Sequence, residues 1–125
     1  MSGNPRILTV DRNQRNLELL DQFLGKAGFE TVPVSTMQGF EQILEQPDHI
    51  GLALVDISGF DRNIWTLCER LADIGVPLLV ISPQKMTNIR QESMAHGAQE
   101  VLFKPLVIQE LTSVIRSMLR TNFDG

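Results

Sequence analysis

Short apolar runs alternate along this chain with stretches in which apolar residues return every three or four positions. The first pattern reads as strands buried on both faces of a sheet, the second as amphipathic helices. The runs are Arg6 to Val10, Phe29 to Val34, Leu52 to Val55, Leu78 to Ile81 and Glu100 to Phe103. Pro33 removes a ladder donor from the second run and places it at a sheet edge. Leu17, Leu20, Phe23 and Leu24 recur at helical spacing, and Gly28 stands where a helix C′ glycine belongs. Thr36 caps a second helix reaching about Glu45, which Pro47-Asp48 ends. Ile64, Trp65, Leu67, Cys68 and Leu71 mark a third, closed by Gly75-Val76-Pro77. A weakly apolar fourth runs from about Met86 to His96 before Gly97. Leu111, Val114, Ile115, Met118 and Leu119 stripe the last.

Five strands alternating with five helices through short loops predict an α/β fold. The expected architecture is flavodoxin-like, a (βα)5 doubly wound five-stranded parallel sheet with helices on both faces. Right-handed crossovers leave few arrangements, and strand order 2-1-3-4-5 is the common solution. The 125 residues read as a single domain, 1–125 with a core of about 6–120, large enough to bury roughly two-thirds of its unfolded surface.

Composition narrows the function. A net charge of −4 without a Lys/Arg run speaks against a nucleic-acid surface. No apolar run approaches the ~18 residues of a membrane span, and no signal peptide is visible. One cysteine excludes an internal disulfide and suits a reducing, cytoplasmic compartment. Cys68 falls among apolar residues of the third helix and reads as core, as does Trp65. His49 sits in a turn and His96 at a helix end, and neither has metal-ligand spacing.

The chemistry gathers where strands end. The run at Leu52 stops at Asp56, followed by Ser58 and Gly59. A carboxylate at the end of a buried strand is costly unless it is paired or used. Capping the third helix would be one use. The other strand ends carry Asp11, Ser82 and Lys104. In order 2-1-3-4-5 these four strands are consecutive, so the four side chains should converge on one crevice. Two carboxylates, a hydroxyl and an amine suit a divalent cation and a phosphoryl group.

At these residues the chain resembles a response-regulator receiver domain of the CheY-like kind, from Arg6 to about Arg120. The likeness lies in I-L-T-V-D ending strand 1, A-L-V-D-I at strand 3, V-I-S after strand 4 and G-A-Q-E-V-L-F-K-P around strand 5. It implies a non-enzymatic relay in a two-component system, with Asp56 as phosphoacceptor. Ser82 would hydrogen-bond the phosphoryl group, Lys104 would pair with its charge, and the Lys104–Pro105 bond would be cis. Mg²⁺ would sit at Asp11, Asp56 and the Ser58 backbone carbonyl. The implied partners are a histidine kinase or phosphotransfer protein, and a downstream output domain or partner protein. A homodimer is also compatible with the likeness.

Several positions depart from the family pattern. Arg12 replaces a second acidic residue that ligates the metal, and a guanidinium cannot do so. Pro83 lacks the backbone N–H expected after Ser82. Val101 replaces the switch aromatic, and Phe60-Asp61 replaces Pro-Gly in the loop after the acceptor. These changes predict weakened Mg²⁺ and phosphoryl binding, with a phosphorylation-independent interaction module as the alternative. Two other phosphate-handling folds fit less well. A haloacid-dehalogenase-like phosphatase needs an Asp where Asn13 stands, and a flavodoxin needs a hydroxyl- and Gly-rich loop after strand 1. Further expectations are an ion pair from Arg12 to Asp56 or Asp11, Trp65 close to the crevice, and a partner face formed by the fourth helix, fifth strand and fifth helix.

Overall fold

The computed structural model describes residues 6–83 and 88–123. Its elements run β1 (Arg6–Val10), α1 (Gln14–Lys26), β2 (Thr31–Val34), α2 (Met37–Glu45), β3 (Ile50–Asp56), α3 (Asn63–Asp73), β4 (Leu78–Ser82), α4 (Ile89–Ala95), β5 (Glu100–Phe103) and α5 (Ile108–Phe123). All strands are parallel, in order β2-β1-β3-β4-β5. The apolar alternation and the right-handed crossover rule therefore lead to the observed sheet, with β2 at its edge and Pro33 exposed upon it.

The two faces of the sheet sort the core. Leu8, Val10, Ala53, Val55, Leu78, Val80 and Val101 point to one side, where Phe40, Leu44, Ile64, Leu67 and Leu71 of α2 and α3 cover them. Ile7, Leu52, Leu54, Leu79, Ile81 and Leu102 point to the other, under Leu24 of α1 and Leu111, Ile115 and Met118 of α5. Successive strand residues alternate between the layers, so a strand covered on both faces is apolar throughout. Cys68 is buried in the first layer, as its helical spacing predicts.

Local rules set most boundaries. Thr36 caps α2 by accepting from the Gly39 N–H at 3.0 Å. After α1, Gly28 has φ +94° and the Phe29 N–H bonds to the Leu24 carbonyl at 2.9 Å. Phe29 is thus committed to closing the helix, and β2 starts at Thr31, two residues later than the apolar run suggests. The start expected for the fourth helix, Met86, lies outside the described residues. Its end is as expected, with Gly97 at φ +104°. Among the described residues no helix is long and apolar enough to cross a membrane.

Candidate functional site

Strand register brings the strand ends to one level. Val10 lies beside Val55, Asp56 beside Ile81, and Ser82 beside Phe103. Asp11, Asp56, Ser82 and Lys104 therefore leave four adjacent strands along one edge of the sheet. Asp56, in the middle, is 2% exposed. Its Oδ1 accepts from the Ser58 N–H at 2.9 Å, and its Oδ2 is met by the Lys104 ammonium in an ion pair. Lys104 is held in turn by its backbone N–H on the Ser82 carbonyl at 2.9 Å and precedes a cis Lys104–Pro105 bond. A buried charge paired and hydrogen-bonded in this way is tolerated. Asp56 does not cap α3. Arg62 holds the N-cap position without a side-chain bond, and Asp61 takes the Asn63 N–H at 2.8 Å.

Asp11 is 5% exposed, and its Oδ1 accepts from the Asn13 N–H at 2.8 Å. Burial pushes its carboxyl above the usual aspartate value, and the charge of Asp56 adds to the push. The Asn13 N–H, an Asn16 side-chain bond and the Lys104 charge draw it back only in part. Among the described residues, these two neighbouring carboxylates have one lysine, Lys104, set against them. Ser82 is buried at the end of β4, and two residues after Asp56 the Ser58 Oγ is buried without a hydrogen-bond partner among the described residues.

From Asp11, Asp56 and Lys104 a cleft of about 520 Å³ opens between α1 and the β5–α5 connection. Asn16, Leu19, Leu20 and Phe23 form one wall, and Pro105, Leu106 and Ile108 the other, with Ile81 and Pro83 at the base. The α1 wall is absent from the sequence reading, which takes Leu17, Leu20, Phe23 and Leu24 only as a helical repeat. Leu17 and Leu24 are buried, whereas Phe23 is 38% exposed at the cleft. The available signal is that Leu17, Leu19, Leu20, Phe23 and Leu24 cover more of the helix than one core-facing stripe requires.

Two expectations are corrected. Arg12 makes no ion pair with Asp56 or Asp11. Its guanidinium lies over the Phe60 ring, Cζ 5.7 Å from the centroid, and its side chain rests on Gly59. Lys104 already occupies Asp56 Oδ2, and the turn that buries Asp11 leaves Arg12 exposed. Trp65 is buried in the α2–α3 layer and stacks on His96, ring centroids 5.0 Å apart. It lines no part of the cleft, because α3 covers the sheet face opposite α1 and α5. His96, which also pairs with Glu69, and His49 take no part in the site.

The donor set fits a small, hard divalent cation of the Mg²⁺ type. Such ions bind through one or two carboxylates and keep several waters. Asp11 and Asp56 supply two buried carboxylates, and Ser58, whose N–H bonds Asp56, has a buried Oγ without a partner among the described residues. Among the described residues no group of three or more Asp, Glu, His or Cys forms a closed cage. Asp11 and Asp56 are the residues that would hold such an ion, with fewer charged ligands than a second acidic residue at Arg12 would give.

Known proteins share this fold and family pattern. A family model described as response regulator receiver domain matches residues 7–116. The transcriptional regulatory protein GltR of Pseudomonas aeruginosa is 33% identical over 127 residues, covering 96% of this chain and 51% of that protein. The two-component response regulator ARR12 of Arabidopsis thaliana is 25% identical over 121 residues, covering 95% of this chain and 20% of that protein. The crystal structure of a response regulator receiver domain protein (CheY-like) from Methanospirillum hungatei superposes with a TM-score of 0.86 at 24% identity, covering 96% of this chain and 97% of that one. The chain thus spans about half the length of GltR and a fifth of ARR12. With the family pattern running from β1 into α5 on the fold that the family shares, the chain belongs to the response regulator receiver domains.

Proposed function

We propose that this receiver domain takes a phosphoryl group on Asp56 from a phosphohistidine of a kinase or phosphotransfer protein, and passes the change to an output domain or partner. The observation that carries the reading is the Asp56–Lys104 ion pair at the base of an open cleft. A carboxylate oxygen of Asp56 attacks phosphorus as the P–N bond breaks. The imidazole leaves with the bonding electrons and takes a proton from solvent. Lys104 offsets charge gathering on the phosphoryl oxygens, and the Ser82 hydroxyl donates to one of them. Asp11, Asp56 and the Ser58 carbonyl would hold Mg²⁺, which supplies further positive charge at the transferring group. With Arg12 in place of an acidic ligand and Pro83 without an N–H, affinity for both metal and phosphoryl group is reduced.

Those two departures also favour a second reading, a receiver that signals by partner binding without phosphate. Incubation with acetyl phosphate and Mg²⁺, followed by intact mass, separates the two. One added phosphoryl group, lost in Asp56→Asn, is the expected result. An unmodified parent chain would leave the phosphate-independent reading, and a label persisting in Asp56→Asn would move the acceptor elsewhere.

A further inference from the structure

We propose that Arg12 is the second phosphoryl-binding cation of this site: it rests on Phe60 in the unmodified protein and turns to the anion once Asp56 is phosphorylated. The inference rests on Asp56 as acceptor and concerns how its charge is met.

Position comes first. Val10 is the register partner of Val55, so the residues just after β1 stand beside those just after β3. Neighbouring strands lie about 4.8 Å apart and rise about 3.3 Å per residue. Arg12 therefore leaves the chain one strand across from Asp56 and about one residue beyond it, within the span of an arginine side chain. Its guanidinium over Phe60, four residues after Asp56, shows that it already bends toward the loop that follows the acceptor.

Charge comes second. Among the described residues Arg12 makes no ion pair or hydrogen bond, and its only assigned partner is the Phe60 ring. An exposed cation–π contact is weak, whereas a guanidinium on phosphate forms paired, charge-assisted hydrogen bonds. Phosphorylation adds a charge of about −1.5 to −2 at neutral pH. Among the described residues, Asp56 has Lys104 as its one ion-pair partner, Asp11 contributes a second negative charge, and Pro83 donates no N–H. The new anion would be under-compensated by these groups, and Arg12 is the adjacent cation with the least to give up. Gly59 leaves room for the parked position. A Cβ there would come within 3.3 Å of Arg12 Cγ, and its φ of +79° favours glycine.

The rival view is that Arg12 merely clasps the β1–α1 and β3–α3 loops together. A test without metal or phosphodonor separates the two. Asp56→Cys is alkylated to carry a phosphonomethyl group, while Cys68 is shielded by full burial. Melting temperature is then read in EDTA, with Arg12 present and in Arg12→Ala and Arg12→Gln backgrounds. Adding the phosphonate should lower the melting temperature by at least ~3 °C more without Arg12 than with it, an excess that shrinks as salt rises. A clasp alone predicts the same shift in all backgrounds, and that result overturns the proposal. Acetyl phosphate labelling gives the second arm. The parent should keep most of its rate in EDTA, while Arg12→Asp loses about tenfold or more and regains it with Mg²⁺. A parent as metal-dependent as Arg12→Asp would also refute the proposal. If neither chain labels, the acceptor reading fails and the melting comparison alone decides the role of Arg12.

Discussion

Burial lifts the Asp11 carboxyl above its ordinary value of 3.8, and the Asp56 charge lifts it further. For a carboxyl raised in this way the native state holds its proton more tightly than the unfolded chain. Stability therefore falls as pH climbs from the ordinary value through the raised one, and the cost vanishes below 3.8. Asp11→Asn keeps an acceptor for the Asn13 N–H and removes the buried charge. It should raise the melting temperature at pH 7, with a gain that shrinks on acidification and disappears below the ordinary aspartate range. Melts across pH check this, and a gain that grows toward acid would contradict it. That an acidic residue ends β1 was legible from the sequence. That it is short of positive charge was not, because this depends on which cations the tertiary fold sets beside it.

Among the elements, α4 is attached differently from the others. Its buried residues are Ile89 and Ser93, and Ser93 satisfies its hydroxyl on the Ile89 carbonyl. Around them Arg62 pairs with Glu92 at 2.9 Å, Arg90 with Glu100 at 3.3 Å, and Glu69 with His96, which stacks on Trp65. Partly exposed ion pairs contribute about 0–1 kcal/mol each, so this bracket orients α4 more than it anchors it. An element with so little buried apolar contact opens more readily than its neighbours. In hydrogen exchange, α4 amides should exchange faster than those of α3, and binding of the output partner should protect α4, β5 and α5. Protection confined to α2 and α3 would place the partner face elsewhere. The sparse apolar spacing of α4 was visible in the sequence, whereas its ionic bracket joins residues up to 30 positions apart.

At the scale of the whole molecule two surfaces meet at the β5–α5 connection, the α4–β5–α5 face and the cleft between α1 and that connection. The apolar cleft wall reaches Asp56, so on the proposed phosphotransfer reading it is the surface a protein phosphodonor would meet. Phe23→Glu should slow transfer from such a donor about tenfold, the scale of one lost apolar contact, while leaving acetyl phosphate labelling unchanged. Equal slowing of both would point to a damaged site instead of a lost docking surface. Much of this molecule follows from sequence alone. Apolar runs and helical repeats are local properties, so they specified five strands, five helices, the edge position of β2 and the burial of Cys68. Chain connectivity then constrained the strand order, which brought Asp11, Asp56, Ser82 and Lys104 to adjacent strand ends. The tertiary structure decided what each side chain does where partners compete. Lys104 takes Asp56, leaving Arg12 to Phe60. Phe23 turns to a cleft instead of the core, and Trp65 turns to His96 instead of the acidic site. Such choices rest on differences of a few ångströms and about a kcal/mol between rival contacts, set by residues distant in the chain.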